Sequence, residues 1–231
     1  MLSYLAKNKN HGVFTMYTKH KWQSDVHYNF NYVKYLPKDF DENKKYPLVI
    51  FLHGAGERGD DLDLAMRHGY MKYVREEGRE YPFIFIGPQC PKDKYWGCYT
   101  ESLLAFLDDI CKTLPIDEKR IYLTGLSMGG TGTWMLAMAD PNRFAAIAPI
   151  CGSGIYWHGT VLANAKLPIF MYHGDCDDIV PFYESANMLR AINRHGNNNA
   201  KLKICYGVGH NAWDYAYTDD ELLDWLLSQS K

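Results

Sequence analysis

Four short and unbroken apolar runs constrain the fold of this chain more than any other feature of its sequence. They lie at residues 48–52, 83–86, 121–123 and 169–172. Strands that are buried on both faces have this pattern, and such strands form parallel sheets covered by helices. Helix-like patterns lie between and after the runs, at residues 100–114, about 129–139, 182–195 and 219–228. This alternation predicts an α/β fold.

The edges of the predicted sheet and the ends of the helices carry local signals of their own. Residues 26–32 alternate apolar and polar side chains, as in a strand with one solvated face, and we expect residues 13–19 to pair with them as an antiparallel hairpin. Thr100 is a candidate N-cap, and the pair His195-Gly196 has the composition of a helix end. We therefore expect antiparallel strands at one edge of a mostly parallel sheet.

The size and charge of the chain limit the classes of function. With 231 residues, 47% of them hydrophobic, the chain is predicted to form a single domain over residues 1–231. Its 25 basic and 27 acidic residues give a net charge of −2, so we expect neither nucleic acid nor a membrane as a partner. The first 14 residues lack the apolar core of a secretory signal. We expect a cytoplasmic protein, or a secreted one if a signal has been removed.

Six cysteines raise the question of disulfides and metals. Cys111, Cys151 and Cys205 lie in apolar patterns, where buried and reduced thiols are the ordinary case. Cys90 and Cys98 flank a loop and are close enough in sequence to form a short bridge, and the sequence leaves both states of this pair open. Because no CxxC pair and no HExxH motif occur, we expect no metal site.

The third apolar run leads directly into a serine between glycines. The segment TGLSMGG follows residues 121–123 and opens a helical pattern, which is the setting of a strained strand-to-helix turn that exposes a nucleophilic serine, here Ser127. Glycines at 125 and 129 avoid collisions of side chains with the neighbouring strand and helix. The alternative, a serine that merely caps a helix, is less consistent with this context. We therefore take Ser127 as the candidate nucleophile.

A serine nucleophile needs a base and an acid, which follow it along the chain in such folds. After residues 169–172 comes a loop with three candidate acids, Asp175, Asp177 and Asp178. Two histidines remain beyond them. His195 ends a helix, whereas His210 lies between flexible residues after a strand at 201–206, so we favour His210 as the base. Spacing alone does not choose among the three aspartates.

The loop after the first apolar run has the composition of an oxyanion-binding turn. Its glycines allow the chain to turn so that the amide of Ala55 points into the site beside the amide of Met128. His53 precedes these residues, and we expect it to hold the loop by hydrogen bonds rather than to act as a base. Glu57 and Arg58 are expected to form a local ion pair.

Five motifs in this order, FLHGAGERG, GPQCP, LTGLSMGGTGTW, HGDCDDIVP and GVGHNAW, resemble the α/β-hydrolase superfamily. The chain is most similar to its small carboxylesterases, which are related to feruloyl esterases and to the catalytic domain of prolyl oligopeptidases. The resemblance implies a mostly parallel sheet of about eight strands without a large lid domain. It also implies Ser127 as nucleophile, His210 as base, and the amides of Ala55 and Met128 as oxyanion donors. In the family pattern HGxxDxxVP the acid is Asp177.

The function expected from this resemblance is ester hydrolysis by a serine carboxylesterase through an acyl-enzyme, without a cofactor. Feruloyl or acetyl esters of plant polysaccharides are the favoured substrates, since aromatic side chains in loops can bind phenolic groups or sugars. The aromatic candidates, about half of which we expect to line the cleft, are Trp96, Tyr156, Trp157 and Trp213. The alternatives are a thioesterase or lysophospholipase, a small serine peptidase and, least favoured, a non-enzymatic binding module.

Overall fold

A computed structural model describes residues 17–231, which form an eight-stranded sheet in the order β1-β2-β4-β3-β5-β6-β7-β8. Strands β3 to β8 pair in parallel, and β1 and β2 add an antiparallel edge. The strands are β1 (Tyr17–Lys21), β2 (Asn31–Tyr35), β3 (Tyr46–Leu52), β4 (Ile84–Pro88), β5 (Ile116–Leu126), β6 (Ala146–Ile150), β7 (Ile169–Gly174) and β8 (Ala200–Cys205). Three of the four apolar runs of the sequence lie within β3, β5 and β7, the fourth leads into β4, and all of their residues are buried.

Helices cover both faces of the sheet. They are α1 (Leu62–Ala65), α2 (Tyr70–Glu77), α3 (Thr100–Thr113), α4 (Met128–Ala139), α5 (His158–Asn164), α6 (Tyr183–Arg194), α7 (Trp213–Ala216) and α8 (Asp220–Ser228). One buried cluster joins the sheet to α1, α2, α7 and α8, and a second joins the opposite face to α3, α4, α5 and α6. The α/β architecture predicted from the sequence is therefore confirmed.

Strand β3 shows why a continuous apolar run suits this position. Val49 and Phe51 point into the first cluster, while Ile50 and Leu52 point into the second, and all four are at most 3% exposed. Each such side chain contributes about 1.5–3 kcal/mol of hydrophobic stabilisation when it is fully buried. A polar residue on either face would lose this contribution, which is why the run has no alternation.

The predicted edge hairpin is displaced along the chain. The second strand was expected at residues 26–32, but β2 begins at Asn31 and pairs with β1, whereas residues 13–16 lie outside the described part of the chain. The side chain of Ser24 accepts the backbone N–H groups of Val26 and His27. These bonds close a turn where the alternating pattern predicted a strand.

The structure corrects one further expectation, at the start of α3, and decides between the two states of the Cys90 and Cys98 pair. Thr100 is the first residue of α3 rather than its N-cap, which is Tyr99, and the Thr100 hydroxyl donates back to the carbonyl of Gly97. All six cysteines are free, and Cys90 is buried while Cys98 is exposed, so the bridge that the sequence left open is not formed. In residues 17–231, none of the helices combines the length and apolarity needed to cross a membrane.

Candidate active site

Ser127 occupies the turn between β5 and α4 in a conformation that few non-glycine residues adopt. Its φ is 53° and its ψ is −119°. A Cβ on Gly125 would lie 2.5 Å from the carbonyl oxygen of Gly129, and a Cβ on Gly129 would overlap the carbonyl oxygen of Leu52. The backbone N–H of Ser127 donates to the carbonyl of Ile150 at 2.9 Å. The glycines thus permit a strained turn that the neighbouring strands hold in place.

The imidazole of His210 connects this serine to a carboxylate. Its Nε2 lies 2.8 Å from the Oγ of Ser127, and its Nδ1 lies 2.8 Å from the Oδ2 of Asp177. Since a carboxylate only accepts, Nδ1 carries the proton and Nε2 is free to accept the serine hydroxyl. The three residues come from loops after β5, β7 and β8, which end at the same edge of the sheet.

The carboxylate of Asp177 is buried and surrounded by donors. Its Oδ1 accepts the backbone N–H groups of Ile179 and Val180 at 3.0 and 2.9 Å. Burial alone would raise the pKa of Asp177, but the hydrogen bonds from His210, Val180 and Ile179 outweigh it and hold this pKa below its usual range. The carboxylate is therefore ionised at neutral pH and fixes the tautomer and orientation of His210.

The other two aspartates and the second histidine lie elsewhere. Asp175 is exposed and its carboxylate accepts the backbone N–H of Gly207 at 2.7 Å, which ties the loop after β7 to the loop after β8. Asp178 is exposed, and His195 is exposed at the end of α6. Of the three candidate acids, only Asp177 contacts the imidazole of His210.

The backbone donors expected near Ser127 lie at the starts of two helical turns. Ala55 begins a 3-10 turn over Ala55–Glu57, and Met128 is the first residue of α4. The first amides of a helical turn have no acceptor within it, so both are available to a ligand. The expected ion pair of Glu57 and Arg58 is wrong. Arg58 donates to the carbonyls of Ala55 and Lys94, whereas the Glu57 side chain is buried and turned towards His68.

His53 has the structural role expected from the sequence. Its Nε2 lies 3.0 Å from the backbone N–H of Cys90 and its Nδ1 lies 2.7 Å from the carbonyl of Gly54, which requires the proton on Nδ1. Burial, with the nearby charge of Arg58 adding to it, lowers the pKa of His53 to about 4, although the bond to Gly54 opposes the shift. A neutral His53 therefore fixes the start of the loop that carries Ala55.

The aromatic candidates divide into three environments. Trp96 is 1% exposed, its Nε1 donates to the carbonyl of His53 at 2.9 Å, and it packs where Gly132 leaves room, so it is a core residue and the expectation that it lines the cleft is wrong. Tyr156 and Trp157 are 36% and 76% exposed beyond β6. Trp213 is half-buried, with its ring edge-to-face on His210 at 5.2 Å between centroids.

Two histidines for which the sequence predicted no role contact these residues. His173 is fully buried, and its Nε2 lies 2.8 Å from the carbonyl of Val180 and 3.2 Å from the Oδ2 of Asp177. The ring of His68 also packs against Trp213, at 5.4 Å between centroids, and its Nε2 is 3.8 Å from the Glu57 carboxylate. For His173, the sequence offered one signal of its contact with Asp177, a position four residues before it. For His68, the sequence offered no signal.

One group of side chains within residues 17–231 brings metal-binding atoms close together. Cys151, Asp177 and His210 each offer a ligand atom, and these atoms lie within 4.8 Å of one another. Cys151 follows β6 directly and is fully buried. Its proximity to the serine site was not apparent from the sequence, where it reads as a core residue.

The chain resembles known proteins both in sequence and in fold. The sequence model of the phospholipase/carboxylesterase family matches residues 99–219, more than half of the chain. The chain belongs to this family. A thermostable esterase of known crystal structure superposes with a TM-score of 0.84 at 29% identity, over 95% of this chain and 64% of that one. The predicted α/β-hydrolase fold is confirmed by this match.

Two relatives of this carboxylesterase-family chain are esterases by name. A bifunctional acetylxylan esterase/xylanase of Neocallimastix patriciarum is 33% identical over 68% of this chain but only 22% of its own length. A probable feruloyl esterase C of Aspergillus niger is 26% identical over 79% of this chain and 67% of its own. The resemblance to feruloyl esterases stated from the motifs is thereby confirmed at the level of the family.

Proposed function

We propose that this protein hydrolyses carboxylic esters through a covalent acyl-enzyme, with Ser127 as nucleophile, His210 as general base and Asp177 as the acid that orients it. The observation that carries the proposal is the relay of two 2.8 Å hydrogen bonds from the Ser127 hydroxyl through His210 to Asp177. A serine hydroxyl becomes nucleophilic only when a base accepts its proton, and the base requires a fixed tautomer.

In the proposed reaction, the Oγ of Ser127 attacks the ester carbonyl while Nε2 of His210 accepts the hydroxyl proton. The oxyanion that develops accepts hydrogen bonds from the amides of Ala55 and Met128, each of which stabilises the transition state by about 2.7–4 kcal/mol. His210 then donates its proton to the departing alcohol oxygen. Water, activated by the same imidazole, hydrolyses the acyl-enzyme and restores the serine. This scheme uses no cofactor.

The surface around the site supports an ester that is attached to a larger, ring-containing molecule. Large hydrophobic side chains that are 36–78% exposed follow the carboxyl ends of β4, β6, β7 and β8, on the edge of the sheet that carries Ser127. They are Tyr95, Ile155, Tyr156, Trp157, Ile179, Tyr183 and Tyr206. Most are aromatic, and flat rings suit sugars and phenolic acids.

The loop opposite the serine supports access for such a substrate. Residues 152–167 contain a single short helix, α5, and so do not build a lid of several helices over Ser127. We therefore propose acetyl or feruloyl esters of plant polysaccharides as substrates, in line with the names of the acetylxylan esterase and feruloyl esterase relatives. Tyr156 and Trp157 are the proposed contacts of the sugar or phenolic ring.

The reaction is tested by labelling and by a substrate panel. A fluorophosphonate should label the protein at Ser127 and fail to label Ser127→Ala. The matched control is Ser153→Ala, which removes a nearby serine that contacts Thr131 and not His210. Labelling that persists in Ser127→Ala would refute the assignment of the nucleophile.

Substrate class is tested by comparing the hydrolysis of p-nitrophenyl acetate, methyl ferulate, acetylated xylo-oligosaccharides, an acyl-CoA and a proline-containing peptide. Trp157→Ala should lower kcat/KM for the oligosaccharide ester by about two- to tenfold, since one aromatic contact contributes about 0.5–1.5 kcal/mol. It should leave the hydrolysis of p-nitrophenyl acetate unchanged if Trp157 contacts only the distant ring. Preference for the acyl-CoA or the peptide would replace the polysaccharide proposal with the thioesterase or peptidase alternative.

A further inference from the structure

The thiol of Cys151 is a fully buried group beside the site that the proposed hydrolysis does not use. Cys151 has a φ of 38°, which a non-glycine residue adopts only at a cost of about 1–3 kcal/mol. Its backbone N–H donates to the carbonyl of Tyr172 at 2.8 Å, so β7 holds it in this conformation. The conformation brings the sulfur to within 4.8 Å of ligand atoms of Asp177 and His210.

We propose that Cys151, Asp177 and His210 together bind a thiophilic divalent cation such as Zn²⁺, and that its binding inhibits the site. Sulfur, imidazole nitrogen and carboxylate oxygen are the three ligand types that zinc takes from proteins. Zinc-to-ligand distances of about 2.0–2.3 Å place tetrahedral ligands about 3.3–3.8 Å apart. Side-chain movements on the order of 1 Å would bring the three atoms to that spacing.

The charge of the three groups favours a soft divalent cation over other ions. A thiolate and a carboxylate together neutralise a 2+ charge, so the complex of the cation with these three side chains carries no net charge in a buried site. The thiol proton leaves to solvent when sulfur binds the metal. Burial, with the Asp177 carboxylate nearby, raises the pKa of the Cys151 thiol. Only a cation with high affinity for thiolate overcomes this cost, which selects zinc or cadmium over magnesium or calcium.

Inhibition follows from the residues that the cation would share with the relay. The metal takes the place of the proton on Nδ1 of His210 and breaks the hydrogen bond to Asp177. That proton moves to Nε2 as the neutral ring changes tautomer, so Nε2 can no longer accept the proton of Ser127. The imidazole side chain is 17% exposed, so the fourth ligand of the cation is water from the open side of the site. The inhibition rests on the proposed function, whereas the binding of the metal does not.

Inhibition is tested with zinc on the hydrolysis of p-nitrophenyl acetate, each variant being compared with its own activity without zinc. Cys151→Ala should raise the half-inhibitory zinc concentration by at least about tenfold. The matched control is Cys176→Ala, which removes an exposed thiol next to Asp177 and should remain as sensitive as the unchanged protein. Equal sensitivity of Cys151→Ala and the unchanged protein would overturn the proposal.

Binding is tested without reference to activity by titration with cadmium. With the exposed Cys98 and Cys176 replaced by alanine, the protein should develop a thiolate-to-cadmium absorption band that saturates at one equivalent and is absent when Cys151→Ala is added. Cys151→Ser nearly keeps the side-chain volume and replaces the thiolate with a poor ligand. It should also lack the band, and it replaces Cys151→Ala in this test if that variant folds poorly. A band that persists in both variants would overturn the site. An inactive protein that retains the band would refute the proposed hydrolysis and leave the metal site standing.

Discussion

Acidification should destabilise this protein through one buried imidazole, that of His53. In the folded chain its Nε2 accepts the backbone N–H of Cys90 and the ring lies edge-to-face on Trp96 at 5.0 Å. Protonation of Nε2 would place its N–H against the backbone N–H of Cys90, so that two donors face each other without an acceptor. His53 is only 1% exposed, so water cannot relieve this conflict. The folded state therefore resists the proton, and its pKa is lowered to about 4 by burial.

The size of the effect follows from the difference between the two states. The unfolded chain takes up the proton near the ordinary pKa of about 6.5 and the folded chain near 4. Above pH 6.5 both states are neutral and the stability is fully present. As the pH falls towards 4, only the unfolded state binds the proton, so the free energy of unfolding decreases by about 3 kcal/mol.

The assay is urea unfolding, followed by tryptophan fluorescence, at several pH values from about 7.5 to about 4. His53→Gln removes the titrating group, and its amide oxygen can still accept the Cys90 N–H. The variant should be less stable at high pH, because one hydrogen bond to Gly54 is lost, but it should lose about 3 kcal/mol less than the unchanged protein on acidification. His195→Gln, which removes an exposed imidazole, is the control. Parallel stability curves for His53→Gln and the unchanged protein would refute the reasoning.

Three further substitutions test the strained turn and the relay. Ser127→Gly should abolish labelling by fluorophosphonate yet raise the free energy of unfolding by about 1 kcal/mol, since glycine tolerates a φ of 53°; a loss of stability would count against strain at this position. Gly129→Ala should prevent folding to a protein with cooperative unfolding, because its Cβ would overlap the Leu52 carbonyl; a cooperative melt at the original temperature would contradict this. Asp177→Asn should lower kcat by about 10⁴-fold with the fold retained, since an amide can stabilise the wrong tautomer of His210; a loss of less than about tenfold would contradict the proposed role.

The sheet was predictable because burial on both faces leaves a plain pattern in the sequence. The runs in β3, β4, β5 and β7 have no polar residue to interrupt them, and their order along the chain already requires helical crossovers. The displaced edge strand had no such signal. Alternation extends from residue 26 into β2, and the strand begins late because the side chains of Ser24, Asn29 and Ser102 accept backbone N–H groups of the preceding turn.

The candidate site was predictable to the extent that strand ends determine position. Ser127 and His210 follow β5 and β8, so parallel topology alone brings them to one edge. The selection of Asp177 from three aspartates came from family resemblance, because the amides of Ile179 and Val180 that orient its carboxylate are recognisable only in three dimensions. The sequence likewise does not show whether an aromatic side chain points into the core or towards solvent. Trp96 turns inward because Gly132 leaves space for it, a relation across 36 residues that no local pattern encodes.

The two strained residues of the site have a common origin in the parallel sheet. Ser127 and Cys151 stand just beyond β5 and β6, both with positive φ, and each donates its backbone N–H to the end of the next strand, at Ile150 and Tyr172. The ladder of the sheet therefore continues one residue past each strand while the chain already turns away. A residue in this position must donate its backbone N–H to the neighbouring strand and also begin a turn. These two requirements together favour the unusual backbone conformation. Because β6 and β7 are completely buried, the sheet cannot relax to relieve it. The hydroxyl of Ser127 is thus presented by the packing of the core, and a substitution in β6 that loosens this packing should weaken catalysis without contacting the substrate.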